Sequence, residues 1–261
     1  MVSKIIAGWR IQRRVISALM IRELVTRFGR ENIGFLWMMA EPLLFAVLVG
    51  LVWRYMKGPE EHGVSIVAFV ATGYIPLTLF RHVVTRTSRV FSVNGSLLYH
   101  RQIKVLDFIF VRFVIEVIGS MMAFLFIGAI LYALNEFPLP ADIGALLLGW
   151  FLYCFFTFSL CLVLAPVSEM SELLEKLLPV TLYIMIPFSG TFSMVSWLTP
   201  NLQKFMLYSP FVSPMELLRY GLFGDRVNAV YDLSVPIAAS LILTLIGLGL
   251  CRRVRRTLVV E

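Results

Sequence analysis

Long apolar segments separated by short polar connections dominate this chain. Runs of about 20 apolar residues without the strict alternation of a strand are typical of helices that cross a bilayer, because backbone groups in hydrocarbon must be hydrogen-bonded within their own segment. The sequence therefore predicts six membrane spans. They lie near residues 33–53, 64–80, 109–134, 143–166, 177–197 and 235–251.

The residues before the first span have the pattern of an amphipathic helix. One side of a helical wheel carries Ile5, Ile6, Trp9, Ile16, Leu19, Met20 and Leu24, and the other carries Lys4, Arg10, Arg14 and Arg22. Residues 1–31 are therefore predicted to form a cytoplasmic helix in the membrane interface, with its basic face towards anionic headgroups or a partner. The mixed composition of this region does not resemble a cleavable signal peptide.

Two later segments depart from the pattern of a plain span. The fifth span contains Pro179, Pro187 and Gly190, each a place where a helix can kink, and a bent helix is predicted there. Residues 198–222 are moderately apolar but hold three prolines together with Glu216 and Arg219, which predicts a pair of short re-entrant or surface helices on the outer side. The transmembrane domain is predicted to cover residues 32–254, followed by a cytoplasmic tail at 255–261.

Composition and charge agree with this reading. The chain is 59% hydrophobic and 15% charged, with a mean hydropathy of +0.85, which excludes an ordinary soluble domain. Eighteen of the 23 Lys and Arg residues fall on one side of the predicted spans, so both termini are predicted to be cytoplasmic and the net charge of +7 needs no nucleic-acid partner. Cys154, Cys161 and Cys251 lie in apolar segments and are predicted to be packing residues.

Motifs for nucleotide or metal chemistry are missing from the sequence. No Gly-Lys-Ser/Thr occurs, so the chain lacks a Walker A motif, and ATP, if it drives this protein, is bound by another chain. His62, His82 and His100 lie in or beside different connections, without the spacing of a metal site. No catalytic residue, cofactor or metal is predicted.

Charged residues inside the spans are few, and each costs at least about 2.5 kcal/mol on insertion scales. Glu41 lies in the first span next to Pro42, where it either faces a lumen or caps a break in the helix. Arg112 and Glu116 are one turn apart in the third span, which favours a local pair or a snorkelling arginine.

Two connections on the cytoplasmic side have the features of docking segments. The first holds a basic stretch, an Asn94-Gly95 turn and the sequence Leu97-Leu98-Tyr99-His100-Arg101, a hydrophobic knob suited to a groove in a partner protein. The second repeats Glu169, Glu172 and Glu175 at helical spacing before Lys176, which predicts a second docking helix. A plain solvated loop or turn is the alternative in each case.

Aromatic residues make up 13% of the chain, and several lie where one face of the ring is predicted to be wet. Such rings can stack on the C–H faces of sugars, although anchoring in the membrane interface explains them equally well. They are Trp37, Trp53, Tyr55, Tyr74, Phe80, Tyr99, Tyr183, Trp197 and Tyr220.

Three motifs, in order, resemble those of ABC-2 type export permeases, in particular the capsular polysaccharide exporters of Gram-negative bacteria. The first motif, at residues 22–43, resembles the entry segment, with Thr26-Arg27-Phe28-Gly29-Arg30, Ile33-Gly34-Phe35-Leu36-Trp37 and Glu41-Pro42-Leu43. Asn94 to Lys104, followed by Asp107, looks like the loop presented to the ATPase. Ser209-Pro210-Phe211-Val212 through Glu216-Leu217-Leu218-Arg219 resembles the outer segment before the last span.

This resemblance implies an all-α transmembrane fold of six helices and a homodimer in the bacterial inner membrane. It implies export of a lipid-linked acidic polysaccharide through a continuous channel at the dimer interface, driven by two copies of a separate ABC ATPase that holds ATP and Mg. A periplasmic co-polymerase and an outer-membrane export channel are further implied partners. A symmetric dimer is expected because one six-helix unit has little room for a path that a long polymer can occupy.

The resemblance assigns the coupling roles, and the charges and aromatic rings of the chain suggest the channel residues. ATPase coupling is expected of Arg22, Arg27, Asn94, Gly95, Leu97, Leu98, Tyr99, His100, Arg101, Glu169, Glu172 and Glu175. The substrate channel is expected to include Trp37, Glu41, Tyr74, Phe80, Arg81, Arg86, Arg89, Tyr183 and Arg219. Of these, Arg81, Arg86 and Arg89 near the inner mouth would attract an acidic polymer or its phosphorylated lipid end, although the same arginines are expected from topology alone.

Other functions stay open at this point. An ABC-2 permease for O-antigen, teichoic acid or a small hydrophobic compound has the same overall pattern. A membrane-embedded transferase acting on lipid-linked sugars needs an acid and a base at one depth, and the sequence offers only the scattered Glu41, Glu116 and His82. A secondary transporter is less favoured, since inverted halves with matching broken helices are not evident.

Overall fold

The computed structural model of the chain describes residues 2–28, 33–98 and 102–258. Within these ranges the chain forms ten α-helices, one two-stranded hairpin and three short 3-10 turns. The helices are α1 (Val2–Phe28), α2 (Ile33–Lys57), α3 (Ile66–Thr87), α4 (Val90–Leu98), α5 (Val105–Ala133), α6 (Ile143–Met170), α7 (Glu172–Ile184), α8 (Pro200–Leu207), α9 (Val212–Phe223) and α10 (Ser234–Leu258).

Four of these helices are long and apolar enough to cross a membrane. They are α3, α5, α6 and residues Ser234–Arg256 of α10, and they coincide with the second, third, fourth and sixth predicted spans. The first predicted span falls within α2, whose side chains are described from residue 40 onward. The total of six spans stays a prediction.

The fifth predicted span, residues 177–197, is not a single helix. Helix α7 ends at Ile184, a 3-10 turn follows at Pro187–Ser189, and Gly190 adopts a left-handed conformation with φ of 71°. Proline lacks the N–H that would continue the ladder, and glycine accepts positive φ without strain, so the predicted bend is a complete break. The 13 residues of α7 rise about 20 Å, less than the hydrocarbon thickness of about 30 Å.

Two short helices, α8 and α9, occupy the segment that was predicted to hold a re-entrant or surface pair. Helix α9 is almost completely buried and packs closely on α6. Glycines make that approach possible: a Cβ on Gly221 would lie 2.2 Å from the backbone nitrogen of Leu146, and one on Gly149 would lie 2.6 Å from that of Leu218. Small residues at such crossings are typical of helices packed within membranes. The side of the membrane on which the pair lies stays a prediction.

Helix α3 lies at the centre of the bundle. It packs against α2, α5 and α6, and most of its side chains are buried. Helix α10 lies along α6, where the hydroxyls of Ser159 and Thr244 are 2.9 Å apart. The three cysteines are buried free thiols, as predicted for packing residues.

The predicted amphipathic segment forms helix α1, but its apolar side divides into two parts. Leu19 is buried, and Ile16 and Met20 pack against the core, whereas Ile6 and Trp9 are exposed. The middle of α1, around Leu19, therefore packs against the protein core, whereas Leu24 further along the same side is exposed. A position of the N-terminal half in the membrane interface remains a prediction.

A short hairpin connects α2 to α3. Its strands, β1 (Glu60–Glu61) and β2 (Val64–Ser65), are antiparallel and pair Glu60 with Ser65. His62 and Gly63 between them both have positive φ, as a two-residue type I′ turn requires. Glu136, after α5, accepts a hydrogen bond of 2.5 Å from the Ser65 hydroxyl and forms an ion pair with Arg54 at the end of α2. The Glu136 carboxylate thus links the end of α2, the hairpin and the connection between α5 and α6.

The Glu136 contact predicts a specific acid sensitivity. The hydrogen bond from Ser65, together with Arg54, lowers the pKa of Glu136. Because the folded-state pKa lies below the unfolded value of about 4.3, the contact stabilises the fold above that value and is lost as pH falls through the folded pKa. The melting temperature of the purified protein should fall less on acidification in Glu136→Gln than in the wild type. The exposed Glu172→Gln is the control, and identical pH dependence in all three proteins would contradict the prediction.

Candidate functional site

Helices α1 and α4 are joined by a hydrogen bond between two predicted coupling residues. The Arg22 guanidinium donates to the Asn94 side-chain oxygen at 2.9 Å, and the Asn94 amide donates to the carbonyl of Val90 at 2.8 Å. Asn94 has non-helical backbone angles, so α4 is kinked at the predicted Asn94-Gly95 turn. Arg22 therefore attaches the first helix to this kink.

A groove of about 570 Å³ lies beside this contact. It is mostly apolar and is lined by Val15, Ala18, Leu19, Arg22, Leu97, Gln102 and Ile103. Leu97 thus lines a groove of this chain, where the sequence predicted a knob that enters a groove of a partner. The side chain of Leu98 and all of Tyr99, His100 and Arg101 lie outside the described residues.

The acidic residues of the second predicted docking segment lie on two helices. Glu169 is near the end of α6, while Glu172 and Glu175 are in the first turn of α7, and extended Ser171 separates the two. Glu175 accepts an ion pair of 2.6 Å from Arg89, which lies in the turn between α3 and α4. The Arg89–Glu175 ion pair therefore joins the two predicted docking segments at one end of the molecule.

A buried cluster of charges lies further inside the bundle, centred on Glu116 of α5. Its carboxylate is 2.6 Å from the Arg27 guanidinium of α1 and 2.9 Å from that of Arg86 of α3. The His82 ring lies between this carboxylate, at 3.7 Å, and that of Glu41 on α2, at 3.4 Å. Residues from four helices thus meet around one carboxylate.

The local pair predicted between Arg112 and Glu116 does not form. Arg112 instead pairs with Glu23 of α1 at 3.3 Å and donates to the backbone carbonyl of Arg86. The two residues are one turn apart on α5, but partners from α1 and α3 approach each of them more closely. Arg112 and Glu116 do lie one turn apart on α5, but the prediction that they pair with each other was wrong.

A basic pocket of about 370 Å³ adjoins this cluster, between α3 and α7. Its lining consists of Arg81, His82, Thr85, Arg86, Pro179, Leu182 and Tyr183. The guanidinium carbon of Arg81 lies 4.7 Å from the centre of the Tyr183 ring, a cation–π geometry. The structure thus brings together three of the residues expected to line a channel, Arg81, Arg86 and Tyr183, with Glu41 next to them through His82.

The other described side chains expected in the channel do not line this pocket, and two of them, both aromatic, lie in the interior of the single chain. Tyr74 is buried and stacks on Phe45, and Phe80 is buried with its ring edge-on to Phe211. Arg89 is largely exposed. The side chain of Trp37 lies outside the described residues.

Arg219 and Glu216 of α9 form a buried clamp around the break after α7. The Arg219 guanidinium is fully buried, donates to the carbonyls of Gly190 and Thr191 at 2.7 and 2.5 Å, and lies 3.8 Å from the centre of the Phe69 ring. Glu216 accepts hydrogen bonds from the backbone N–H groups of Val195 and Val230. In the sequence, both charges count against a full crossing by residues 198–222, and Arg219 was expected in the substrate channel, whereas the structure encloses its side chain within the single chain. A charged pair one turn apart in an apolar segment is a signal for such a clamp.

The exposed faces of the bundle differ in polarity. The outward faces of α5 and α10 carry large apolar side chains, among them Ile118, Leu125, Phe126, Leu241, Leu245 and Ile246. The face formed by α2, α3 and α7 also exposes large apolar side chains, among them Leu48 and Leu51 of α2 and Val180 of α7, but it adds 42% of the Glu41 side chain and 39% of that of Arg86. Because charged groups in contact with lipid are costly, the part of this face around Glu41 and Arg86 is suited to water or to another protein surface rather than to hydrocarbon.

The four described helices that are long and apolar enough to cross a membrane, together with a buried break and a basic pocket, define a polytopic helical membrane protein. The family described as ABC-2 type transporter matches residues 14–223. That is most of the chain, and the chain belongs to this family. The resemblance noted from the motifs is thereby confirmed.

Individual relatives are similar over almost their whole length. The capsule polysaccharide export inner-membrane protein CtrC of Neisseria meningitidis serogroup B is 38% identical over 240 residues, covering 92% of this chain and 91% of the relative. The capsule polysaccharide export inner-membrane protein BexB of Haemophilus influenzae is 36% identical, covering 91% and 90%. The polysialic acid transport protein KpsM of Escherichia coli is 23% identical, covering 94% and 95%.

Proposed function

We propose that this chain is the transmembrane permease subunit of an ATP-driven transporter that exports lipid-linked capsular polysaccharide across the bacterial inner membrane. The observation that carries the proposal is the basic pocket between α3 and α7, with the partly exposed charges of Glu41 and Arg86 beside it. The names of the relatives support the cargo, since CtrC and BexB are both described as capsule polysaccharide export proteins. The permease itself performs no covalent chemistry.

The polar path lies between two copies of the chain. Glu41 and Arg86 are partly exposed where contact with lipid would be costly, and a second copy related by a two-fold axis covers these charges with the same groups of its own. The apolar outward faces of α5 and α10 are then left for the bilayer. With both termini in the cytoplasm, the basic pocket opens towards the inner mouth of this path.

The basic pocket suits an anionic cargo. Arg81 and Arg86 present two guanidinium groups, and the Tyr183 ring adds a surface on which a sugar face can lie. A polymer far longer than the bilayer cannot be enclosed in one cavity. The path is therefore continuous, and ATP biases repeated short displacements of the polymer.

Energy comes from two copies of an ABC ATPase, which hold ATP and Mg. Their docking surface is the groove between α1 and α4, together with the first turn of α7. The groove exposes apolar side chains around Arg22, which suits a helix or loop of a partner. A periplasmic co-polymerase and an outer-membrane channel complete the proposed export route.

A deletion strain tests the proposed function. Loss of the chain should abolish polysaccharide at the cell surface and cause polymer to accumulate in the cytoplasm, and the wild-type gene should restore export. Complementation with Arg81→Gln should give about tenfold less surface polysaccharide than complementation with the wild type, because a guanidinium contact to the cargo is lost. The exposed Arg226→Gln, outside the pocket, is the matched control. Unchanged surface polymer in the deletion strain would overturn the proposal.

The docking surface has its own test. Leu97→Asp places a charge in the apolar groove, and co-purification of the ATPase with the detergent-solubilised permease should fall by about tenfold or more. Leu139→Asp, at an exposed leucine in the connection between α5 and α6, is the control and should retain the ATPase. A Leu97→Asp permease that keeps stoichiometric ATPase would show that the groove is not the dock.

A further inference from the structure

The buried carboxylate of Glu116 connects two surfaces that have different roles in the proposed transporter. Its residue is completely inaccessible to solvent and lies 11 residues beyond the start of α5, about 16 Å into the helix. Arg27 and Arg86 both approach the same oxygen, Oε1, at 2.6 and 2.9 Å. One atom therefore holds two guanidinium groups from two different helices.

The two arginines depend on each other through this atom. A buried carboxylate is stable only while its charge is compensated, so removing one arginine leaves the carboxylate to the other. Residues within one ion-pair network are energetically coupled, and displacement of one member changes the preferred position of the rest. The position of Arg86 is thus linked to that of Arg27.

These arginines lie on different functional surfaces. Arg27 is in the last turn of α1, and α1 also lines the groove proposed to receive the ATPase. Arg86 lines the basic pocket, and His82, which also lines it, is 3.7 Å from the second Glu116 oxygen. Glu116 lines neither surface, but its carboxylate contacts one residue of the helix that borders the groove and two residues of the pocket.

We propose that Glu116 is a positioning residue that transmits displacement of α1 to the basic pocket. When α1 moves, the distance between Arg27 and Glu116 changes. The negative charge of Glu116 then compensates the Arg86 guanidinium to a different extent. The positive charge that the pocket presents to an anionic cargo then follows the position of α1. This proposal rests on the proposed function, because it assumes that a partner at the groove moves α1.

The chain contains a matched control for this contact. Glu23 on α1 pairs with Arg112 on α5, so it joins the same two helices as the Arg27 contact. Glu23 does not line the basic pocket. Arg112 also donates to the backbone carbonyl of Arg86, so this pair contacts the backbone of that pocket residue but not its guanidinium. Both pairs hold α1 against α5, whereas direct contact with the guanidinium of Arg86 belongs to Glu116.

The test measures the pocket directly. Thr85 is an exposed residue of the pocket lining, and Thr85→Cys provides a thiol for labelling, since the native cysteines are buried. In the assembled permease–ATPase complex, labelling of this thiol should differ about tenfold between the nucleotide-free state and the state trapped with ATP and vanadate. Glu116→Gln should abolish that difference while ATP hydrolysis continues, so that polymer exported per ATP falls. Glu23→Gln should keep both.

Conservative and double variants make the outcome decisive. Glu116→Asp retains the charge and should partly restore the labelling difference. Arg27→Gln should reproduce the loss, and the Arg27→Gln, Glu116→Gln double variant should be no worse than either single variant. A Glu116→Gln complex that keeps the difference, or a Glu23→Gln complex that loses it equally, overturns the proposal. If the Glu116→Gln permease does not assemble with the ATPase, the labelling difference measured in the Arg27→Gln complex decides the proposal. Wild-type complexes without export or ATP hydrolysis would instead refute the proposed function.

Discussion

Replacement of Arg219 by methionine is expected to lower the free energy of unfolding by about 3 to 5 kcal/mol. The variant keeps most of the side-chain volume but removes the donors for the carbonyls of Gly190 and Thr191, which would then be buried without partners. The break after α7 would lose its attachment to α9. A lower melting temperature and a lower yield of monodisperse protein would be measured on the detergent-purified chain.

A nearby arginine provides the control for this substitution. Arg226 is exposed and follows α9, so Arg226→Met should change the melting temperature little. Arg219→Lys should fall between the wild type and methionine, because an ammonium keeps the charge without the fork geometry that serves two carbonyls. Equal stability of Arg219→Met and Arg226→Met would disprove the role assigned to the clamp.

Substitution of Gly221 by leucine should prevent the α6–α9 packing altogether. Even the Cβ of alanine would lie 2.2 Å from the backbone nitrogen of Leu146 and 2.6 Å from its Cα, and backbone atoms cannot move aside as a flexible side chain can. Gly221→Ala is therefore expected to cost at least about 3 kcal/mol, at the upper end of overpacking penalties, and Gly221→Leu should yield no folded protein. Expression level and size-exclusion profile provide the measurement.

A helical glycine with free space around it separates packing from helix propensity. A Cβ added at Gly249 on α10 meets no atom within 4 Å. Gly249→Ala should therefore leave stability unchanged or raise it by up to about 1 kcal/mol. If Gly221→Ala behaves as Gly249→Ala does, then close contact between α6 and α9 does not contribute to the fold.

Long apolar periodic segments were predictable because their signal is local. The second, third, fourth and sixth predicted spans coincide with helices α3, α5, α6 and α10, since hydrocarbon leaves a long apolar run little alternative to a helix. The break in the fifth segment was visible in Pro187 and Gly190. The contact that holds this break was not predictable, because Arg219 reaches the Gly190 carbonyl from 29 residues further along the chain.

The site was predictable only as a set of residue types near the inner end. Spacing on one helix favoured an Arg112–Glu116 pair, but Arg27 is separated from Glu116 by 89 residues of sequence, and no local pattern reports such a contact. Tyr74 and Phe80 were expected beside the cargo as aromatic residues in spans. They pack on Phe45 and Phe211, because burial against another ring is available to them in the folded chain.

The early end of α7 has an electrostatic consequence for any polyanion that moves along this face. Helix α7 spans about 20 Å, and the chain beyond it, at residues 189–191, is buried with two of its carbonyls bonded to the Arg219 guanidinium. Uncompensated carbonyl dipoles at this depth would repel an anionic chain. Because Arg219 compensates them, they add little negative potential to the face along which we propose that the polymer moves.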